Sequence, residues 1–254
     1  MAINLSSLIR SSEQRKPGRL LVHGVQGVGK TTFAAEAPAP VFIQCEDGLA
    51  SVDVDAFPLS RTFSDVMQAF ESLYQEEHSY KSVIIDSVDW LEPMIYAQTC
   101  IDNGWTNIEQ PGYGKGYIAA MVYWRQYIEA INALRDDKGM WVLQLAHTDV
   151  KKFDDPAADA YDRYVIKLYN KAAALLLEHS DAVIFLNHLI SLKTTDQGFG
   201  NKKTRAISGG QRVAYCAERP SHIAKNRYGL PDQIIVPGKD WSPVWTAINS
   251  AVGI

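Results

Sequence analysis

The sequence is short of several things, and each shortage excludes a class. It holds three cysteines, Cys45, Cys100 and Cys216, an odd number set far apart. They show no CxxC or Cys/His metal spacing, which excludes a disulfide framework and fits the thiol usage of a reducing, intracellular compartment. No stretch of about 18 apolar residues occurs, so no membrane-spanning helix is expected. The opening MAINLSSLIRSSEQRKPGR lacks the apolar run of a signal peptide, and a cytoplasmic setting without membrane partners is the expectation. Excess positive charge is also missing: 25 Lys and Arg stand against 29 Asp and Glu, a net charge of −4. That excludes a wholesale basic surface but not a local patch. There is no internal repeat and no linker rich in Pro, Gly or Ser. With 46% hydrophobic and 21% charged residues, the chain is not disordered or collagen-like, and its 254 residues can bury a sizeable core.

Residues 1–19 read as a polar arm, carrying Arg10, Arg15, Lys16 and Arg19 against Glu13. Residues 20–254 read as a single domain. Short runs apolar on both faces occur at Leu20–His23, Val41–Gln44, Ser82–Asp86, Trp141–Ala146 and Ala182–Asn187. Such runs suit buried strands of a largely parallel sheet. Between them, Tyr117, Met121, Trp124, Ile128, Ile131 and Leu134 recur at helical spacing. Alternating strands and helices predict an α/β fold with helices on both faces of a mostly parallel sheet. The stretch from Ser191 to Cys216 predicts a long C-terminal β-hairpin. Ile223–Tyr228 and Gln233–Val236 read as a last strand pair around a turn at Gly229–Pro231.

The strongest motif is Gly24-Val25-Gln26-Gly27-Val28-Gly29-Lys30-Thr31, followed by Thr32. It fits the phosphate-loop pattern GxxxxGK[ST] in full, with a strand before it and a helix after it. Glycines let backbone N–H groups approach phosphate oxygens without an intervening Cβ. In this pattern Lys30 reaches the β- and γ-phosphates and the Thr31 hydroxyl ligates Mg²⁺. The cofactors expected are therefore ATP and Mg²⁺. Asp86, ending the run Val83-Ile84-Ile85, is the expected second metal-side group. Ser87 follows it where many such enzymes place a catalytic glutamate, so the base must come from elsewhere. Glu46 ends the short strand Val41–Glu46 on the ligand side of a doubly wound sheet and is the candidate to orient water, with Asp47 its competitor. His147, at the tip of Trp141–Ala146, is the candidate γ-phosphate sensor, with Gln144 as the alternative.

The order GVQGVGKTT, VFIQCEDG, VIIDSVDWL, VLQLAH and IAKNRYGLP resembles the RecA/DnaB-like core of P-loop ATPases, over roughly Leu20 to Val236. GYGKGY at Gly112–Tyr117 and AHTDVKKFDDP at Ala146–Pro156 resemble motifs of small phage-encoded RecA-like ATPases of single-strand-annealing recombination. The resemblance implies a RecA-like P-loop NTPase fold, DNA-stimulated ATP hydrolysis, single-stranded DNA as partner, and a homo-oligomer with nucleotide at the subunit interface. A single-strand-binding protein is a further implied partner. It also implies that Lys225 and Arg227 reach across to the neighbouring subunit's nucleotide. A hexameric helicase or motor, and a nucleotide-switched DNA-binding scaffold with negligible turnover, are the alternatives.

By position, the DNA-binding loops of that family fall at Asn103–Gly116 and Lys151–Tyr164. The first offers Tyr113 for base stacking and Lys115 for phosphate. The hairpin offers a different surface. Lys193, Lys202, Lys203, Arg205 and Arg212 face one acid, Asp196, a local excess that suits a phosphate backbone.

Overall fold

The computed structural model describes residues 16–50, 52–156, 159–196 and 202–253, and it leaves the side chains of 190–196 and 202–209 undescribed. The phosphate-loop strand is β1 (Arg19–Gly24), followed by α1 (Lys30–Ala35) and β2 (Pro40–Gln44). The short β3 (Asp55–Ala56), then α2 (Phe63–Gln75), β4 (Ser82–Asp86), α3 (Val88–Asn103) and α4 (Lys115–Lys138) come next. Next are β5 (Trp141–Phe153), β6 (Tyr161–Ile166), α5 (Asn170–His179), β7 (Ala182–Asp196) and β8 (Lys202–Tyr215). The chain closes with β9 (Lys225–Asn226), β10 (Gln233–Val236) and α6 (Ser242–Val252).

The sheet order is β10-β8-β7-β1-β5-β4-β2-β3, with β6 added to β5 and β9 to β7. The run from β7 to β3 is parallel, and β8 and β10 extend it antiparallel. The α/β architecture and C-terminal hairpin expected from the sequence are present. Period-two alternation divides each apolar run between two cores. Leu21, Val41, Ile43, Val83 and Ile85 face one core with Trp124, Tyr127 and Ile131 of α4. Leu20, Val22, Phe42 and Ile84 face the other, with Phe33 of α1 and Trp241 and Trp245 at α6. Thr62 caps α2 with Asp65 in a reciprocal capping box.

Three readings are corrected. Ile223–Tyr228 and Gln233–Val236 do not pair with each other: β9 pairs with β7 and β10 with β8. Each therefore finds a partner on the long hairpin instead of across its own turn. The segment read as a loop at Lys151–Tyr164 lies largely in a second hairpin, because β5 runs on to Phe153 and pairs with β6. Arg19, counted with the arm, opens β1 and is bound to Asp181 by three hydrogen bonds.

Candidate active site

The carboxyl ends of the parallel strands meet at the phosphate loop. β5 lies between β1 and β4, so Gly24 and Asp86, which end their strands, flank His147 of β5, and Glu46 follows the next strand, β2. Gly24 has no room for a side chain: a Cβ there would stand 2.5 Å from the Leu186 carbonyl oxygen. Gly29 takes φ 102°, backbone that favours glycine, as the N-cap of α1. The loop is braced from the far side of the sheet. Arg212 of β8 donates its Nε–H to the Val28 carbonyl at 2.6 Å and also bonds the Gly238 carbonyl, and the Trp241 indole flanks Gly29.

These elements enclose a cavity of about 240 Å³ lined by Gly27, Gly29, Lys30, Thr31, Thr32, Glu46, Gly48, Val52, Asp86 and His147. Lys30 is 7% exposed. Among the described residues its ammonium has one acceptor, the Gly24 carbonyl at 3.2 Å, although it carries three donors. Burial pushes its pKa down, against the pull of Asp86, Asp89 and Glu46. The Thr31 hydroxyl donates to Asp86 Oδ2 at 2.8 Å. Asp86 is held above the usual carboxylate range, chiefly by burial and then by Glu46, which outweigh the Thr31 bond and Lys30. The structure thus holds a buried cation with donors to spare, next to a carboxylate short of compensating charge.

That donor set fits Mg²⁺ with a nucleotide. No group of three or more His, Cys, Asp or Glu suited to a metal occurs among the described residues. Mg²⁺ does not require such a cage, since it keeps several waters and takes phosphate oxygens beside one or two protein ligands. Thr31 and Asp86 are that small protein share.

Two open alternatives separate by geometry. Glu46 lines both the cavity and a neighbouring hollow, whereas Asp47 lines only that hollow, with Arg61 and Trp90. His147 lines the cavity, whereas Gln144 is fully buried in the layer of α4, where its Oε1 accepts from the Tyr127 hydroxyl at 3.0 Å. No motif points to Asp89, whose carboxylate accepts from the backbone N–H of His147 and meets its ring Nδ1, both at 2.9 Å. An acid in the first turn of a helix reads as ordinary. Arg212, counted above with the basic hairpin, is instead bonded to the loop, and neither it nor Trp241 has a local signal that connects it there.

Other sequence-derived residues lie apart from the cavity. Lys225 Nζ donates to the carbonyls of Leu177 and Glu178 at the end of α5. Arg227 lies 3.7 Å from Asp181, at the amino ends of the parallel strands. β9 covers only Lys225–Asn226, so it does not carry both cations on one strand face. Tyr113 is 99% exposed and Lys115 opens α4. Lys202, Lys203 and Arg205 lie on β8 opposite Asp196, Thr195 and Lys193, with side chains outside the described residues. No helix among the described residues is long and apolar enough to cross a membrane.

A family model described as an AAA domain matches residues 16–228. Among solved structures, the crystal structure of the RadB recombinase aligns at 11% identity over 87% of this chain and 87% of that one, with a TM-score of 0.49. No curated protein matches the sequence.

Proposed function

This chain belongs to the AAA domain family, and from that premise we propose that it binds and hydrolyses ATP with Mg²⁺ and assembles on single-stranded DNA for phage-type recombination or strand annealing. One observation carries the ATPase reading: a buried Lys30 with spare donors opens onto the same cavity as Glu46 and the Thr31–Asp86 pair. The loop's backbone N–H groups and Lys30 bind the phosphates. Thr31 and Asp86 would hold Mg²⁺, which when bound neutralises charge on the β- and γ-phosphate oxygens. Glu46 orients a water and takes its proton as the water oxygen bonds to the γ-phosphorus and the bond to ADP breaks. Lys225 and Arg227 serve the nucleotide of a neighbouring subunit, which makes the active unit a homo-oligomer. Their position away from this chain's own cavity suits a role in trans.

The DNA reading is supported by GYGKGY and AHTDVKKFDDP in the sequence and by the basic hairpin, with Tyr113 and Lys115 as the rival contact. It extends to a cytoplasmic protein of a phage-infected bacterial host, working beside a single-strand-binding protein. The test is ATP turnover with and without single-stranded DNA, together with DNA affinity across a salt series for the K202A/K203A/R205A variant. Stimulated turnover, and a log–log salt slope flattened by up to about two units in the variant, are expected. Turnover indifferent to DNA and an unchanged slope would remove the hairpin and the DNA assembly from the reading.

A further inference from the structure

Asp89 lies three residues beyond Asp86, in the first turn of α3. Its side chain is only 4% exposed, and both its oxygens are committed to a residue 58 positions away. Oδ1 accepts from the backbone N–H of His147 and Oδ2 meets the ring Nδ1, each at 2.9 Å. The Ser87 hydroxyl, whose one proton is shared between this carboxylate and Glu46, is a further partner. Burial pushes this carboxyl up, but the bonds from His147 and Ser87 prevail and hold it below the usual range. It is therefore an ionised group that can only accept. Helix capping does not explain the arrangement, because a cap serves the N–H groups of its own helix. Those of Trp90 and Leu91 bond the Ser87 carbonyl.

A carboxylate at Nδ1 dictates where the ring proton sits. Nδ1 carries it, and in the neutral ring Nε2 is left as an acceptor. His147 lines the phosphate cavity. Glu46, which lines the same cavity, has Oε2 3.9 Å from the same Nδ1 and accepts from the Ser87 hydroxyl at 3.4 Å. Ser87 thus faces both carboxylates, and both lie on the Nδ1 side of the ring.

We infer that Asp89 is a positioning residue for hydrolysis: it fixes His147 as the Nδ1–H tautomer, so that Nε2 stays a water acceptor on the cavity that Glu46 also lines. This rests on the ATPase reading above. A water that donates to Nε2 keeps its lone pairs free for the γ-phosphorus. With the other tautomer, Nε2–H would donate and compete with the water's own protons. The same logic governs carboxylate–histidine pairs in hydrolases, where an amide in place of the carboxylate preserves shape but selects the wrong tautomer.

The test uses the full chain with ¹⁵N-labelled histidine. Ring-nitrogen chemical shifts of His147, assigned by loss of the signal in H147Q, separate a protonated nitrogen from a bare one. The wild type is expected to show Nδ1 protonated and Nε2 bare, and D89N, whose amide can donate to Nδ1, to move the proton to Nε2. D89N should bind a non-hydrolysable ATP analogue as the wild type does, while turnover falls on the order of 10- to 100-fold. D89N/H147Q should be no slower than H147Q alone. A bare Nδ1 in the wild type, or D89N that keeps both tautomer and turnover, would overturn the inference. If D89N does not fold, the wild-type spectrum decides alone. The resting-state tautomer does not depend on turnover, so a wild type that binds ATP without hydrolysing it defeats the ATPase reading separately.

Discussion

At the carboxyl ends of the parallel strands, Lys30 is buried with a single backbone acceptor. At their amino ends, the partly buried Arg19 guanidinium has side-chain partners on all three nitrogens. It pairs in a fork with Asp181 at 3.0 and 2.9 Å, donates to Asn132 Oδ1, and meets His179 Nε2. Arg135 and Arg227 stand 3.9 and 3.7 Å from the same Asp181. Burial has opposite outcomes at the two ends. It drives the Lys30 pKa down, whereas at Arg19 the Asp181 bonds overcome it and the guanidinium is raised. A charge with all its partners inside the chain holds the fold together. A charge left with donors unspent is set up to meet a ligand, because an unpaired buried polar group is costly to keep for structure alone.

The largest expected effect lies at the unspent end. Lys30→Ala should abolish nucleotide binding measured by calorimetry while leaving the thermal midpoint at or above that of the wild type, since a poorly compensated buried charge is removed. A marked loss of stability would mean that Lys30 is structural like Arg19. Arg227, with its side chain 55% exposed, is the member of the paired end most able to act elsewhere. R227A should bind ATP yet turn it over slowly. A mixture of R227A and K30A chains should regain activity as concentration rises, because some interfaces then join an intact pocket to an intact cation. A mixture shown to co-assemble without recovery would place Arg227 wholly within its own chain.

Next in size is Asp181. D181A leaves the partly buried Arg19 without its carboxylate, so a loss of up to about 3–5 kcal/mol in denaturant unfolding is expected, with ATP affinity of the folded protein unchanged. Burial works against the Asp181 carboxylate, but the Arg19 bonds and neighbouring cations hold its pKa below the usual value. Its contribution is therefore present above the unfolded-state pKa near 4 and is lost as pH falls through the folded value. Equal stability of D181A and wild type at pH 7 would break the contrast.

The smallest effect belongs to His23, fully buried just before the phosphate loop. It is held between Thr148 Oγ1 at 3.0 Å and the Ile223 carbonyl at 2.9 Å. Burial lowers its pKa to about 4. The unfolded chain then binds the extra proton between about pH 6.5 and 4, so stability falls across that window as acid is added, by about 3 kcal/mol. H23Q should flatten that part of the curve in pH-dependent urea unfolding. An unaltered slope would show that the ring is protonated in the fold.

How far the sequence could be read follows the same division between local and distant. The strands Val83–Asp86 and Trp141–Ala146 are legible because a parallel strand buried on both faces is a continuous apolar run. The loop from Gly24 to Thr31 is legible because its chemistry needs adjacent residues. Glu46 could be placed by the rule that strand ends face the crevice, and Asp47, its neighbour, was separated from it only by side-chain direction. Asp89 was not legible: its function depends on a residue 58 positions away that arrives from another strand. The β5–β6 hairpin was hidden by its charges. Lys151 and Lys152 are exposed and offer no apolar alternation, and only the ladder to Asp162 and Arg163 shows the strand. Lys225 and Arg227 were placed by resemblance, and their intrachain partners came from α5 and Asp181, which no motif announces.

The central claim is that the cavity around Lys30 hydrolyses ATP with Glu46 as its base. The measurement that tests it most directly is steady-state ATP turnover by Glu46→Gln, set beside calorimetric ATP binding in the same preparation. Glutamine keeps the shape and a hydrogen-bond acceptor but cannot take the water's proton. The account predicts wild-type affinity with turnover reduced on the order of 100-fold or more. Turnover close to that of the wild type, with binding intact, would contradict it.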